Sequence, residues 1–101
     1  MLVFFSISPL GEGESVSGPV AEIVKLIADS GLDYQLTAMG TIFEGTPDQV
    51  FELLKACHLK MRASHHRVTS KILIDDRGDA LGRIRSKIES VEKAIGRPAR
   101  R

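Results

Sequence analysis

The sequence predicts an α+β two-layer sandwich, β-α-β-β-α-β with one further helix at the C-terminal end. Three observations predict it. The first strand-like run is short, aromatic and β-branched, and apolar residues alternate with polar ones in Arg67 to Asp75. They recur at spacings of three and four in three longer segments, and Gly, Pro and Asp turn signals separate the segments. The 43% apolar content of 101 residues suffices for one modest core. Residues 1–96 are read as a single domain, and the basic tail 97–101 is expected to fray.

The first strand is Leu2 to Ser8, aromatic and β-branched, stopped by Pro9-Leu10-Gly11. A polar loop, Gly11 to Ser15, leads to Ser17, Gly18 and Pro19, which mark a helix start. Val20, Ile23, Val24 and Ile27 form its apolar stripe and Gly31 closes it. Tyr34 to Thr37 and Thr41 to Glu44 read as a hairpin around Met39-Gly40. Thr46-Pro47-Asp48-Gln49 then carries a capping box, with hydroxyl, proline and glutamine in the required places. Val50, Leu53, Leu54, Cys57 and Met61 share the stripe of this second helix, so Cys57 is expected in the core. In the fourth strand Val68, Ile72 and Ile74 alternate with Arg67, Lys71, Leu73 and Asp75. A turn at Asp76-Arg77-Gly78 brings in Asp79 as the expected cap of a third helix, whose seam is Leu81, Ile84, Ile88, Val91 and Ile95. That seam is expected to dock within the chain or onto a neighbouring subunit.

This element order matches the ferredoxin-like unit, an antiparallel sheet with both crossover helices on one face. The other face is then expected to be bare. Leu2, Phe4, Ser6 and Ser8 would line it, half apolar and half hydroxyl. The usual sheet order is 4-1-3-2. With strands one and three taken as parallel, Ser8, Glu44, Tyr34 and Arg67 are expected to share one edge, next to the starts of both crossover helices. Such an edge favours an anion or polar ligand.

Several function classes are disfavoured. Net charge is +1 and the positive residues gather from Arg83 to Arg101, so no global field for nucleic acid is expected. The single cysteine cannot form an intramolecular disulfide, and Met1 to Phe5 lacks the basic region and long apolar stretch of a signal peptide, which together point to the cytoplasm. Apolar runs fall short of the roughly 20 residues that span a bilayer. His65-His66 with Cys57 or His58 lacks a spaced metal-ligand repeat, so no metal site is expected. Asp75-Asp76 is read as capping a turn and pairing with Arg77. No G-x-S-x-G elbow holds a nucleophile, and no catalytic residue is assigned. Gly11 to Glu14 lacks the phosphate-loop lysine and carries two carboxylates; it is read as a flap over the edge.

Ser17 before helix one, Ser30-Gly31-Leu32-Asp33-Tyr34, Met39-Gly40-Thr41 with Glu44-Gly45, Arg67-Val68-Thr69 and Ile74-Asp75-Asp76-Arg77 occur in an order that resembles the thiamine-binding, YkoF-like family of small proteins. The chain departs from that pattern with His65-His66 where a glycine is frequent and Leu73 where a lysine is common. The resemblance implies a ferredoxin-like fold, self-association into dimers and tetramers through sheets and terminal helices, and non-catalytic binding of thiamine or its pyrimidine moiety, with no other cofactor. An aminopyrimidine needs a carboxylate or hydroxyl beside its ring nitrogen and amine, and a flat apolar wall. Ser6, Ser8, Thr37, Thr41 and Glu44, with Phe4 or Met39 as wall and Arg67 at the edge, are the candidates. Glu44 and Thr41 fall on opposite faces of strand three, so not all of them can serve one pocket. Two functions are carried forward: a homo-oligomeric binder that stores or senses a thiamine-like ligand, and a regulatory or scaffolding module that works through its open sheet face with no small ligand.

Overall fold

The computed structural model describes residues 1–11, 17–78 and 81–101. Seven elements follow the expected order: β1 (Leu2–Pro9), α1 (Ser17–Asp29), β2 (Asp33–Leu36), β3 (Thr41–Glu44), α2 (Pro47–Ser64), β4 (Val68–Asp75) and α3 (Arg83–Ile95). The four strands form one sheet in the order β2-β3-β1-β4.

Every neighbouring pair is antiparallel, which corrects the expectation of parallel β1 and β3. The reason is geometric. A helical crossover sets β2 parallel to β1, and the tight β2–β3 turn then reverses the chain. Leu2 therefore faces Glu44 and Phe5 faces Thr41, so Glu44 and Ser8 lie at opposite ends of the sheet. The helices that follow β1 and β3 start at opposite ends too.

One face of β1 supplies Val3, Phe5 and Ile7 to the core, where Ile23 and Ile27 of α1 meet Phe43 of β3 and the α2 stripe. Phe5 and Phe43 pack edge to face at 6.3 Å between ring centres. Phe43 and Ile27 are fully buried, each stabilising the fold by roughly 1.5–3 kcal/mol. Cys57 is also fully buried, as its helical spacing predicts. The capping box forms: Gln49 N–H donates to Thr46 Oγ1 at 3.3 Å, and Thr46 N–H donates to Gln49 Oε1 at 2.9 Å.

The face opposite the crossover helices is not wholly bare. Glu44 and Asp75 both stand opposite Leu2, on the Leu2 and Phe4 side of the sheet, and both hold the start of α3 there. Glu44 accepts the Arg83 N–H with both carboxylate oxygens, at 3.0 and 3.1 Å. The Arg83 guanidinium reaches the Asp75 carbonyl at 3.0 Å and its carboxylate, which Lys87 also contacts at 3.1 Å. Asp75 thus pairs with Arg83 and Lys87 rather than with Arg77. Hydrogen bonds from Arg83 first, then Lys87, hold its carboxyl below the usual range. The residue that precedes α3 is Gly82, in the left-handed region at φ 74°, while Asp79 lies outside the described residues. Of the α3 seam only Ile84 is buried; Ile88 is half-buried, and Val91 and Ile95 are exposed. Among the described residues no helix is long and apolar enough to cross a membrane.

Candidate functional site

The site grows from a mismatch in strand length. β1 is eight residues long and bonds to β4 along all of it, whereas β3 begins at Thr41, opposite Phe5. Beyond Phe5 no strand among the described residues pairs with the β3 side of β1. A cavity of about 370 Å³ lies elsewhere, between α2 and the Ser30 to Leu32 loop that follows α1, but the one at this gap, about 310 Å³, is where the expected ligand residues gather. Ile23, Val24 and Ile27 of α1 form its apolar wall.

Ser6, Ser8, Thr37, Met39 and Thr41 all line this cavity. Glu44 and Arg67 do not. Glu44 lies at the far end of the sheet, buried against the α3 N-terminus. Arg67 is exposed on the β4 side of β1, where its carbonyl accepts from Leu10 N–H at 2.9 Å. The single edge expected for Ser8, Glu44, Tyr34 and Arg67 is therefore two edges, because β1 and β3 run antiparallel. Tyr34 stays with Glu44, next to Phe43. The Gly11 to Glu14 flap falls mainly outside the described residues.

Each cavity residue has a distinct local cause. Thr37 builds the β2–β3 turn: its hydroxyl donates to the Gly40 carbonyl at 2.7 Å and accepts from the N–H groups of Met39 and Gly40, both at 3.2 Å. Thr37 is thus committed to the scaffold. Met39, 80% exposed, sets an apolar thioether side chain at the turn beside the cavity. Gly40 fits because the Phe4 ring and the Phe5 carbonyl leave no room for a Cβ. Thr41 is buried on the helix side of β3, opposite Phe5. The side-chain hydroxyls of Ser6, Ser8 and Thr41 have no hydrogen-bond partner among the described residues.

A further group escaped sequence reasoning, the backbone of Ile7. Leu10 N–H points to β4, while the Met1 carbonyl accepts from Gly45 N–H at 3.1 Å on the β3 side. Backbone groups alternate along a strand, so even residues of β1 turn theirs to β4 and odd residues to β3. Val3 and Phe5 meet β3 there. Ile7, two residues on, directs its N–H and C=O into the gap with no backbone partner among the described residues. A donor and an acceptor lie side by side at the edge of an apolar cavity, which matches any planar ligand with an acceptor next to a donor. Hydrophobic periodicity cannot reveal this, since Ile7 reads only as a core side chain. Among the described residues no three His, Cys, Asp or Glu side chains converge to hold a metal ion.

Comparison with known proteins identifies the scaffold. A sequence model described as "Thiamine-binding protein" matches residues 3–92. The UPF0045 protein YqgV of Bacillus subtilis is 40% identical over 96 residues, covering 89% of this chain and 92% of its own. A hypothetical protein of Methanocaldococcus jannaschii, known from a crystal structure, is 35% identical with a TM-score of 0.76, covering 94% of both chains. The crystal structure described as a putative thiamine biosynthesis/salvage protein of Thermotoga maritima superposes at TM-score 0.79 with 17% identity over 89% of this chain and 96% of that one, a likeness of fold alone.

Proposed function

The chain belongs to the thiamine-binding protein family, and from that premise we propose that it binds thiamine or a related aminopyrimidine without transforming it, as a homo-oligomer that stores or senses the ligand. The scaffold on this reading is ferredoxin-like, with the sheet order seen here. The observation that carries the proposal is the unpaired Ile7 backbone edge beside the α1 wall. The ring nitrogen of a 4-aminopyrimidine accepts from Ile7 N–H while its amine donates to Ile7 C=O, as a neighbouring strand would. The ring lies against the Ile23 and Val24 wall with the Thr41 hydroxyl on the same side of the sheet, while Ser6 and Ser8 line the gap with side chains on the face opposite α1. Homo-oligomerisation is supported by α3, whose exposed Val91 and Ile95 form a seam that a second copy would cover.

Calorimetry with thiamine, its pyrimidine fragment and its thiazole fragment tests the ligand. The first two release heat and the third does not. Amide exchange tests the site: the Ile7 N–H slows on binding. Absence of heat with folded protein at submillimolar thiamine would overturn the proposal.

A second reading is a regulatory or scaffolding module that works through its open sheet face with no small ligand, supported by Leu73, 68% exposed on the face opposite the crossover helices. It predicts a stoichiometric protein partner whose capture is abolished by Leu73→Glu and is indifferent to thiamine.

A further inference from the structure

We infer that one end of the open sheet face is a phosphate subsite, built by Ser6, Ser8, Thr69 and Lys71, and that it selects a phosphate monoester of the aminopyrimidine read at the Ile7 edge. The choice of ligand rests on that reading; the subsite itself does not.

Residues directly opposite one another on paired strands point to the same face. On the face away from the crossover helices, Ser6 stands opposite Lys71 and Ser8 opposite Thr69. At the other end of that face Leu2 is flanked by Glu44 and Asp75, with Asp33 beyond Glu44. These three are all the carboxylates of the four strands. Charge is therefore segregated along the face. At the acidic end α3 supplies the Arg83 N–H, the Arg83 guanidinium and Lys87. The opposite end holds three hydroxyls and an ammonium group, with Arg67 just before the start of β4.

The groups at this second end are unsatisfied. Ion pairs among the described residues are those of Arg83, Lys87 and Arg101, so Lys71 and Arg67 have no carboxylate partner there. The hydroxyls of Ser6, Ser8 and Thr69 neither donate nor accept among the described residues. Ser6 and Ser8 are half-buried on a strand paired to β4 along its whole length, which holds them in place before any ligand arrives.

Spacing fits one phosphoryl group. Even residues of β1 bond to β4 through the backbone, as Leu10 N–H does to Arg67, so Ser6 and Lys71, and Ser8 and Thr69, stand about 5.5 Å apart at Cα. Successive residues of one face are about 7 Å apart along a strand. The four side chains thus frame a rectangle that a tetrahedral phosphoryl group spans, its oxygens accepting from the hydroxyls and the ammonium. Lysine meets phosphate as a point charge, and a monoester carries about −1.5 to −2 at pH 7.

The subsite adjoins the ring site. Ser6 and Ser8 flank Ile7, and both line the gap into which Ile7 directs its N–H and C=O. A ring paired with that edge lies within one strand spacing of them, about 4.8 Å. A one-carbon arm on the ring therefore carries a phosphate over β1 onto the open face. A neutral alcohol in the same place leaves Lys71 without a counter-charge.

Calorimetry on the full chain compares 4-amino-5-hydroxymethylpyrimidine with its phosphate monoester. The ester is expected to bind roughly tenfold more tightly, or better. Lys71→Ala is expected to narrow that difference to under about threefold; Lys71 is exposed, so the fold is retained. Inorganic phosphate alone tests the subsite without the ring. In an NMR titration it is expected to shift the Ser6, Ser8 and Lys71 amides of the wild type and not those of Lys71→Ala, with chloride at equal ionic strength producing no shift. Equal affinity of ester and alcohol, or a gain that survives Lys71→Ala, would overturn the inference. Phosphate shifts without heat from either pyrimidine would keep the subsite and reject the aminopyrimidine reading. Heat from the alcohol, with no phosphate shift and no gain for the ester, would do the reverse.

Discussion

Gly40→Ala tests the geometry that shapes the cavity. A Cβ at Gly40 would stand 2.7 Å from the tip of the Phe4 ring and 2.8 Å from the Phe5 carbonyl oxygen. The ring can swing aside, but the carbonyl belongs to the last β1 residue paired with β3, so it cannot yield without breaking that pairing. Overpacking of this kind costs about 1–3 kcal/mol. In a domain of roughly 100 residues each kcal/mol lowers Tm by about 4–8 °C, so a loss of roughly 5–20 °C is expected. Gly18→Ala is the matched control: it lies in the first turn of α1 with nothing within 4 Å. There the added methyl group stabilises, by about 0.4–1 kcal/mol, because it restricts the unfolded chain. Thermal unfolding followed by circular dichroism reads both. A Gly40→Ala protein that melts with the wild type, or a Gly18→Ala protein that loses as much, would refute the close approach as the reason for glycine here. Thiamine calorimetry on folded Gly40→Ala at low temperature should also show weaker binding, since the turn that carries Met39 has to move.

Glu44→Ala removes the acceptor of the Arg83 N–H and is expected to cost about 1–3 kcal/mol in urea denaturation. Amides of α3 should exchange faster while those of α2 are unchanged; equal loss in both helices would argue against a local latch. Thr46→Ala breaks the capping box of α2 and should cost about 1 kcal/mol by the same measurement. Burial pushes the Cys57 thiol up to about 11 from 9.0. The folded state therefore keeps the proton that the unfolded chain releases. This contribution is full below pH 9 and is lost as pH rises toward 11, so stability should fall across that window. Cys57→Ala should remove this slope, and native protein at neutral pH should resist thiol reagents that modify it in urea.

The elements themselves were legible in residue order. Thr46, Pro47 and Gln49 announce the start of α2, and the spacing of Val50, Leu53, Leu54, Cys57 and Met61 identifies its buried stripe. The alternation in β1 assigns Val3, Phe5 and Ile7 to the core. Side-chain period is a local property of one element, and one element suffices to express it. The candidate site was legible in part. Ser6, Ser8, Thr37, Met39 and Thr41 do meet at one cavity. Glu44 and Arg67 were drawn to the same place by a mistaken strand direction, and Glu44 serves α3 instead. Thr37 reaches the cavity wall with its hydroxyl already committed to the turn.

The sequence by itself thus determined the order of elements, the core residues and the family to which the ligand reading belongs. Only the tertiary structure decided which end of the sheet each polar residue occupies and which backbone groups remain unpaired. Ile7 shows why. Its side chain is set by period, but the freedom of its N–H and C=O depends on β3 beginning at Thr41, a fact about where two distant segments stop pairing. The outer edge of β4 is open for the same reason, because no other described strand lies beyond it.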